Sequence, residues 1–253
     1  MADSWAPAIA LLMIVAPLLW LRRWITLHLQ GLGLLLWSHS DMAMVLYFLA
    51  LLPGIALHEL SHWLFAKGLG VRTGKVTLWP ARQKGGRMRL GSVEMVRSDP
   101  FRGSLIGLAP LITGSGVIFL IGDRVLSVNR AVDALLTADW RAAWASLAAY
   151  GQAADLWLWL YVVFAVSNTM WPSESDRQSW LTAFLFVAAI GLATFASGLI
   201  TEVPGEVVTG LMQLVRYLIY AFALTVVVDV VFGLAIAVIE TLLERVKGTR
   251  VEY

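Results

Sequence analysis

His58-Glu59-Leu60-Ser61-His62 is the run in this sequence whose residue types and spacing suit metal-assisted hydrolysis. On an α-helix, residues four apart share one face, so the two imidazoles can hold one metal ion. Zn²⁺ fits such a pair, with Zn–N bonds of about 2.0–2.1 Å. Glu59, beside the first histidine, is placed to take a proton from the attacking water, as in H-E-x-x-H metalloproteases. The rival reading is a histidine–glutamate group paired inside a helical bundle. The surrounding stretch, Leu51 to Gly70, is largely apolar. Ionisable groups in such a setting are rare unless they serve a function, which favours the metal.

A catalytic zinc generally takes three protein ligands and leaves one position open for water. The chain has no cysteine, so the third ligand should be His, Asp or Glu. Asp176 follows a helix end broken by Pro172, from which a carboxylate can turn back toward the histidines. Glu174 is the runner-up, and either can also be a solvated loop carboxylate. Asn168 reads equally as a helix-packing residue or as a group holding substrate backbone or the oxyanion. Asp229, deep in the last apolar run, reads as an interhelical hydrogen-bonding group. His28 and His39 have no partner at helical spacing and read as interfacial or hydrogen-bonded residues.

Membrane helices must position these groups. Of 253 residues, 59% are hydrophobic and 14% charged, with mean hydropathy +0.75, whereas soluble domains carry about 25% charged residues. The twelve Trp residues cluster toward the ends of apolar runs, as interfacial belts do. The expected fold is an all-α polytopic membrane protein of one domain, residues 1–253, with about six or seven membrane segments. Ala6–Leu21 is followed rather than preceded by Arg22-Arg23 and reads as a retained segment, not a signal peptide. Trp24–Trp37 is short for a crossing. Further spans are expected over Ala43–Ala66, Phe101–Gly122, Tyr150–Trp171, Trp180–Ile200 and Leu214–Leu243. The catalytic core occupies residues 43–180, flanked by the segments at 6–37 and 180–243.

Between Lys67 and Arg102, nine Lys and Arg residues face only Glu94 and Asp99. In a short loop between apolar runs this is the positive-inside signature, not a nucleic-acid site. Lys75–Pro80 and Arg87–Val96 read as strands joined at Gly85-Gly86, giving a small β-sheet at the cytoplasmic membrane surface. Alternating the spans puts Asp176 and the C-terminus on the side of this loop. Gly103 and Gly107 form a G-x-x-x-G that suggests close helix packing.

The H-E-x-x-H in a membrane span, the basic β-containing loop after it and a later Asn168…Pro172…Asp176 together resemble the site-2 protease family of intramembrane zinc metalloproteases. The family's second motif reads N-x-x-P-x-x-x-x-D-G, with its Asp as third zinc ligand; the Asn-to-Asp separation is kept here, so the resemblance assigns that role to Asp176. Pro172 stands one residue later than the family's proline and Arg177 replaces its glycine, and Gly107-Leu108-Ala109-Pro110-Leu111 matches the family's Gly-Pro segment only loosely. The resemblance implies an endopeptidase that cuts transmembrane segments of other membrane proteins. His58, His62 and Asp176 would hold Zn²⁺, Glu59 would act as catalytic base, and the substrate's unwound segment would add to the sheet as a strand. The expected location is a prokaryotic cytoplasmic membrane, with the site toward the cytoplasm. The alternative is a non-proteolytic subunit or chaperone of a membrane complex with a structural zinc.

Overall fold

The computed structural model describes residues 6–82, 88–126, 155–197 and 205–251, together with 128, 139, 141–142 and 145. The expected Gly85-Gly86 turn, most of the short helix expected within Asp123–Trp144, and most of the turn at Glu202–Glu206 lie outside the described residues. Among the described residues six α-helices carry the architecture: α1 Ala6–Trp37, α2 Ser40–Gly68, α3 Pro100–Leu120, α4 Leu156–Thr169, α5 Trp180–Ala196 and α6 Gly205–Lys247. A π-helical turn, Ile121–Val125, continues α3.

Among the described residues, four helices are long and apolar enough to cross a membrane: α1, α2, α3 with its π turn, and α6. This fits an integral membrane protein. The described residues do not show all of the six or seven segments expected, for two reasons. First, Ala6–Leu21 and Trp24–Trp37 are one continuous helix rather than two pieces. Arginine is a good helix former, and the Arg22 Nε–H finds an acceptor in the Asn168 carbonyl at 3.2 Å, while Arg23 is exposed. Second, α4 has 14 residues and α5 has 17, below the roughly 20 that a crossing takes.

Local signals set the helix ends nearest the histidines. Asp99 caps α3, its carboxylate accepting from the Phe101 and Arg102 N–H groups, with Pro100 in the first turn. The cap holds the Asp99 carboxyl below the usual carboxylate range, chiefly through the Arg102 N–H. At the other end of the motif helix, Gly70 takes φ +71°. The Gly70 N–H donates to Lys67 O and the Val71 N–H to Ala66 O, the Schellman arrangement in which a left-handed glycine closes a helix.

The basic segment folds back as strands. β1 Thr73–Thr77 pairs antiparallel with β4 Ser92–Met95, and β2 Ala81–Arg82 with β3 Met88–Arg89. Thr77 faces Ser92 and Ala81 faces Arg89, so the two pairs are successive parts of one hairpin.

Helix α4 runs parallel to α2: Ala165 lies against Gly54, and Thr169 meets His58. A Cβ on Gly54 would fall 2.0 Å from the Ala165 carbonyl oxygen, so only glycine permits that approach. Helix α6 runs antiparallel to α4, with Asp229 beside Asn168 and Phe232 stacked on Phe164. It is parallel to α1, where Gly233 lies against Trp24, Glu240 pairs with His28, and the Lys247 ammonium meets the carbonyls of Leu35 and Leu36. Leu18, Ile25, Leu51, Ile118, Val163 and Val228 form the core among these helices. Lys247 therefore lies where α2 begins, and Lys67 where it ends, about 40 Å of helix apart at 1.5 Å per residue. This overturns the expectation that the C-terminus shares a side with the basic loop. Counting crossings failed because α6 leaves the level of the site in the direction opposite to the one assumed.

Candidate metal centre

The helical period of α2 brings His58 and His62 onto one face, and their Nε2 atoms lie 3.1 Å apart. The loop after α4 supplies Asp176, whose Oδ1 is 3.4 Å from His62 Nε2 and whose Oδ2 is 3.8 Å from His58 Nε2. Two residues aim this carboxylate. The Ser173 N–H donates to Asp176 Oδ2 at 2.6 Å. Gly107 of α3 lets the Asp176 carbonyl come so close that a Cβ would stand 2.0 Å from its oxygen. Gly103 lies in the same way against Ser179. The expected G-x-x-x-G thus seats the Asp176 loop rather than another helix.

The backbone fixes both imidazoles. His58 Nδ1 is 2.8 Å from Thr169 O, and His62 Nδ1 is 2.9 Å from Ile106 O. Each carbonyl accepts only, so each Nδ1 carries a proton and donates. Both carbonyls are free for this task. Thr169 closes α4, where the last carbonyls lack helical donors. Ile106 stands four residues before Pro110, which has no N–H to return. The same device recurs in α2, where Pro53 frees Leu49 O for the Tyr161 hydroxyl at 3.5 Å.

With Nδ1 protonated on each ring, two Nε2 lone pairs and a carboxylate converge. Three acceptors so placed need positive charge between them, a proton or a metal ion. Tetrahedral zinc with bonds of about 2.0–2.2 Å separates its ligand atoms by roughly 3.3–3.6 Å. The two Nε2 atoms at 3.1 Å and His62 Nε2 to Asp176 Oδ1 at 3.4 Å lie near that range, while the 3.8 Å from His58 runs to Oδ2. With one ligand atom from each residue, all three lie within 4.8 Å of one another. The donor set fits zinc. In the metal-free protein a proton has the same part. Burial alone would raise the Asp176 pKa, but the hydrogen bond and charge of His62, with the Ser173 hydroxyl and N–H, outweigh it and hold the carboxyl at about 2.

Glu59 precedes this face and is 7% exposed. It has no hydrogen-bond partner among the described residues. Gly91, between β3 and β4, packs on it so closely that a Cβ would lie 2.7 Å from Glu59 Oε1. The hairpin thus rests on the candidate base.

The remaining expected residues separate. Glu174 is exposed on the turn, outside the cluster. Asn168 is buried with its Nδ2 on Phe164 O and Asp229 Oδ1, both at 2.9 Å. Its amide N–H groups are thus engaged in helix packing, while its Oδ1 is buried with no hydrogen-bond partner among the described residues. Asp229 makes the interhelical bond expected of it. His28 pairs with Glu240 of α6, a partner too distant in sequence to foresee. Sequence reasoning also missed the Thr169 and Ile106 carbonyls, for which only Pro110 gave a signal.

Comparison with protein-family models, with curated proteins and with solved structures found no match in any of the three.

Proposed function

We propose that the chain is an intramembrane zinc endopeptidase of the site-2 protease type, cutting transmembrane segments of other membrane proteins. The convergence of His58, His62 and Asp176, with one ligand atom from each within 4.8 Å of the others, supports this reading, with Glu59 one residue from the first ligand. His58, His62 and Asp176 would hold the zinc. When bound there, zinc supplies Lewis acidity toward a carbonyl and acidifies water.

Glu59 takes a proton from the attacking water and returns it to the leaving amine, the part of a general base that then serves as acid. Its closeness to Gly91 means that a peptide added along the hairpin passes this carboxylate. Strand addition suits a substrate whose helix has locally unwound, because it satisfies the freed backbone groups. The nine-residue basic cluster supports an orientation with this end of α2 toward the cytoplasm, and the chain would be a multi-pass protein of a prokaryotic cytoplasmic membrane.

The cover over Glu59 also favours a second reading, a non-proteolytic subunit with structural zinc. One substitution separates the two. Glu59→Gln keeps the side chain's size and leaves all three ligands, so the protein should fold and hold zinc. Turnover of a membrane substrate should fall by roughly 10²–10⁴-fold, the contribution of a general base. A variant that cuts as the wild type does would refute the protease reading.

A further inference from the structure

Three consecutive residues close α4, and each reaches a different helix. Thr169 O accepts from His58 Nδ1 of α2 at 2.8 Å, and Asn168 O accepts from Arg22 Nε of α1 at 3.2 Å. The Asn168 amide donates to Asp229 Oδ1 of α6 at 2.9 Å, and the Ser167 hydroxyl lies 3.1 Å from the same oxygen. Asp229 is 1% exposed, and the chemistry assigned above makes no use of it. A carboxyl that deep in an apolar helix calls for a reason.

The last carbonyls of a helix point where the final turn points, since no further turn restrains them. In α4 that turn is held by groups from outside, and the side-chain anchor common to Ser167 and Asn168 is one oxygen of Asp229. Rotating the turn would swing Thr169 O away from His58. The orientation of the Asn168 amide is chemically fixed, because flipping it would set its oxygen against both Phe164 O and the Asp229 carboxyl.

We infer that Asp229 is a positioning residue of the metal centre: by holding Ser167 and Asn168 it fixes the last turn of α4 and, through the Thr169 carbonyl, the imidazole of His58. The inference rests on the zinc reading above and says which distant residue sets the geometry of that site. Outer hydrogen-bond partners of metal-bound histidines commonly change metal affinity by about 10–100-fold, and Asp229 would act at one further remove.

The test uses the full chain loaded with zinc for affinity and with Co²⁺ for its visible absorption, which reports ligand geometry. Asp229→Ala should lower zinc affinity by about 10-fold or more and alter the cobalt spectrum. Asp229→Asn, which keeps an oxygen to accept from Asn168, should restore both toward wild type. If Asp229→Ala does not fold, Asn168→Ala removes the same link from the other side and should give the same two changes. Wild-type affinity and spectrum in the metal-loaded Ala variant, even with a lower Tm, would overturn the inference by reducing Asp229 to a packing role. A wild type that takes up neither metal would overturn it together with the zinc reading. A wild type that binds zinc but cuts nothing would overturn the protease reading alone.

Discussion

Gly107→Ala should strip the centre of its third ligand without touching a ligand residue. The added Cβ would stand 2.0 Å from the Asp176 carbonyl oxygen and 2.9 Å from its carbon. Ordinary contact needs about 3.5 Å, so the Asp176 backbone must retreat by roughly 1–1.5 Å. Both atoms in conflict are backbone, so no side-chain rotation relieves the clash. Metal–ligand distances tolerate about ±0.2 Å, which is several times smaller than the shift. Alanine favours a helix over glycine by about 1 kcal/mol, so α3 itself should not suffer. Zinc affinity should fall at least 10–100-fold, the range for disturbing an outer partner. Purified protein is dialysed against graded chelator and its zinc per chain measured. Gly116→Ala, where nothing lies within 4 Å of the new Cβ, should behave as wild type. Retention of zinc by Gly107→Ala at wild-type affinity would refute the claim that α3 seats Asp176.

Three further outcomes follow from the same geometry. Asp176→Ala should lose zinc while Glu174→Ala keeps it, measured by elemental analysis; the reverse result would move the ligand. Single cysteines at Lys67 and Thr249, introduced into this cysteine-free chain, should label from opposite sides of the membrane with an impermeant reagent, because Lys67 closes α2 while the end of α6 lies where α2 begins. In the metal-free protein, Asp176 is depressed to about 2 from an unfolded value of about 3.9. Its stabilising effect is therefore present above about pH 4 and lost as pH falls toward 2. Asp176→Asn should remove that part of the acid dependence in denaturant titrations, and an unchanged slope would contradict the His62 contact.

What could be read from the sequence was local. His58, Glu59 and His62 declare themselves because one helical turn brings them together whatever the rest of the chain does. The resemblance assigns Asp176 through a motif whose proline and glycine do not match, and the structure sets its carboxylate beside both histidines all the same. The Ser173 N–H and Gly107 aim the carboxylate, and Arg177 needs no left-handed backbone, since Ser38 is the one non-glycine with positive φ among the described residues. Long-range pairing was not legible. Arg22-Arg23 read as the end of a segment because nothing nearby pairs with Arg22, whose acceptor lies 146 residues away. Asn168 gives no sign in the sequence of its bond to Asp229, 61 residues away. The side on which the chain ends was misjudged for the same reason, since it depends on how α6 packs along α1.

The pairing of α1 with α6 has a consequence for the order in which the protein comes into being. His28 and Glu240 are 212 residues apart, and ribosomes add about 5–20 residues per second. For roughly 10–40 s the first helix must therefore wait with His28 in its apolar length and Glu240 still unmade. Arg22, 146 residues from Asn168, waits for about 7–29 s. Asp229 also arrives on that last helix. A chain halted just before it would already hold His58, Glu59, His62 and Asp176, yet lack the carboxylate that meets Ser167 and Asn168 in the last turn of α4.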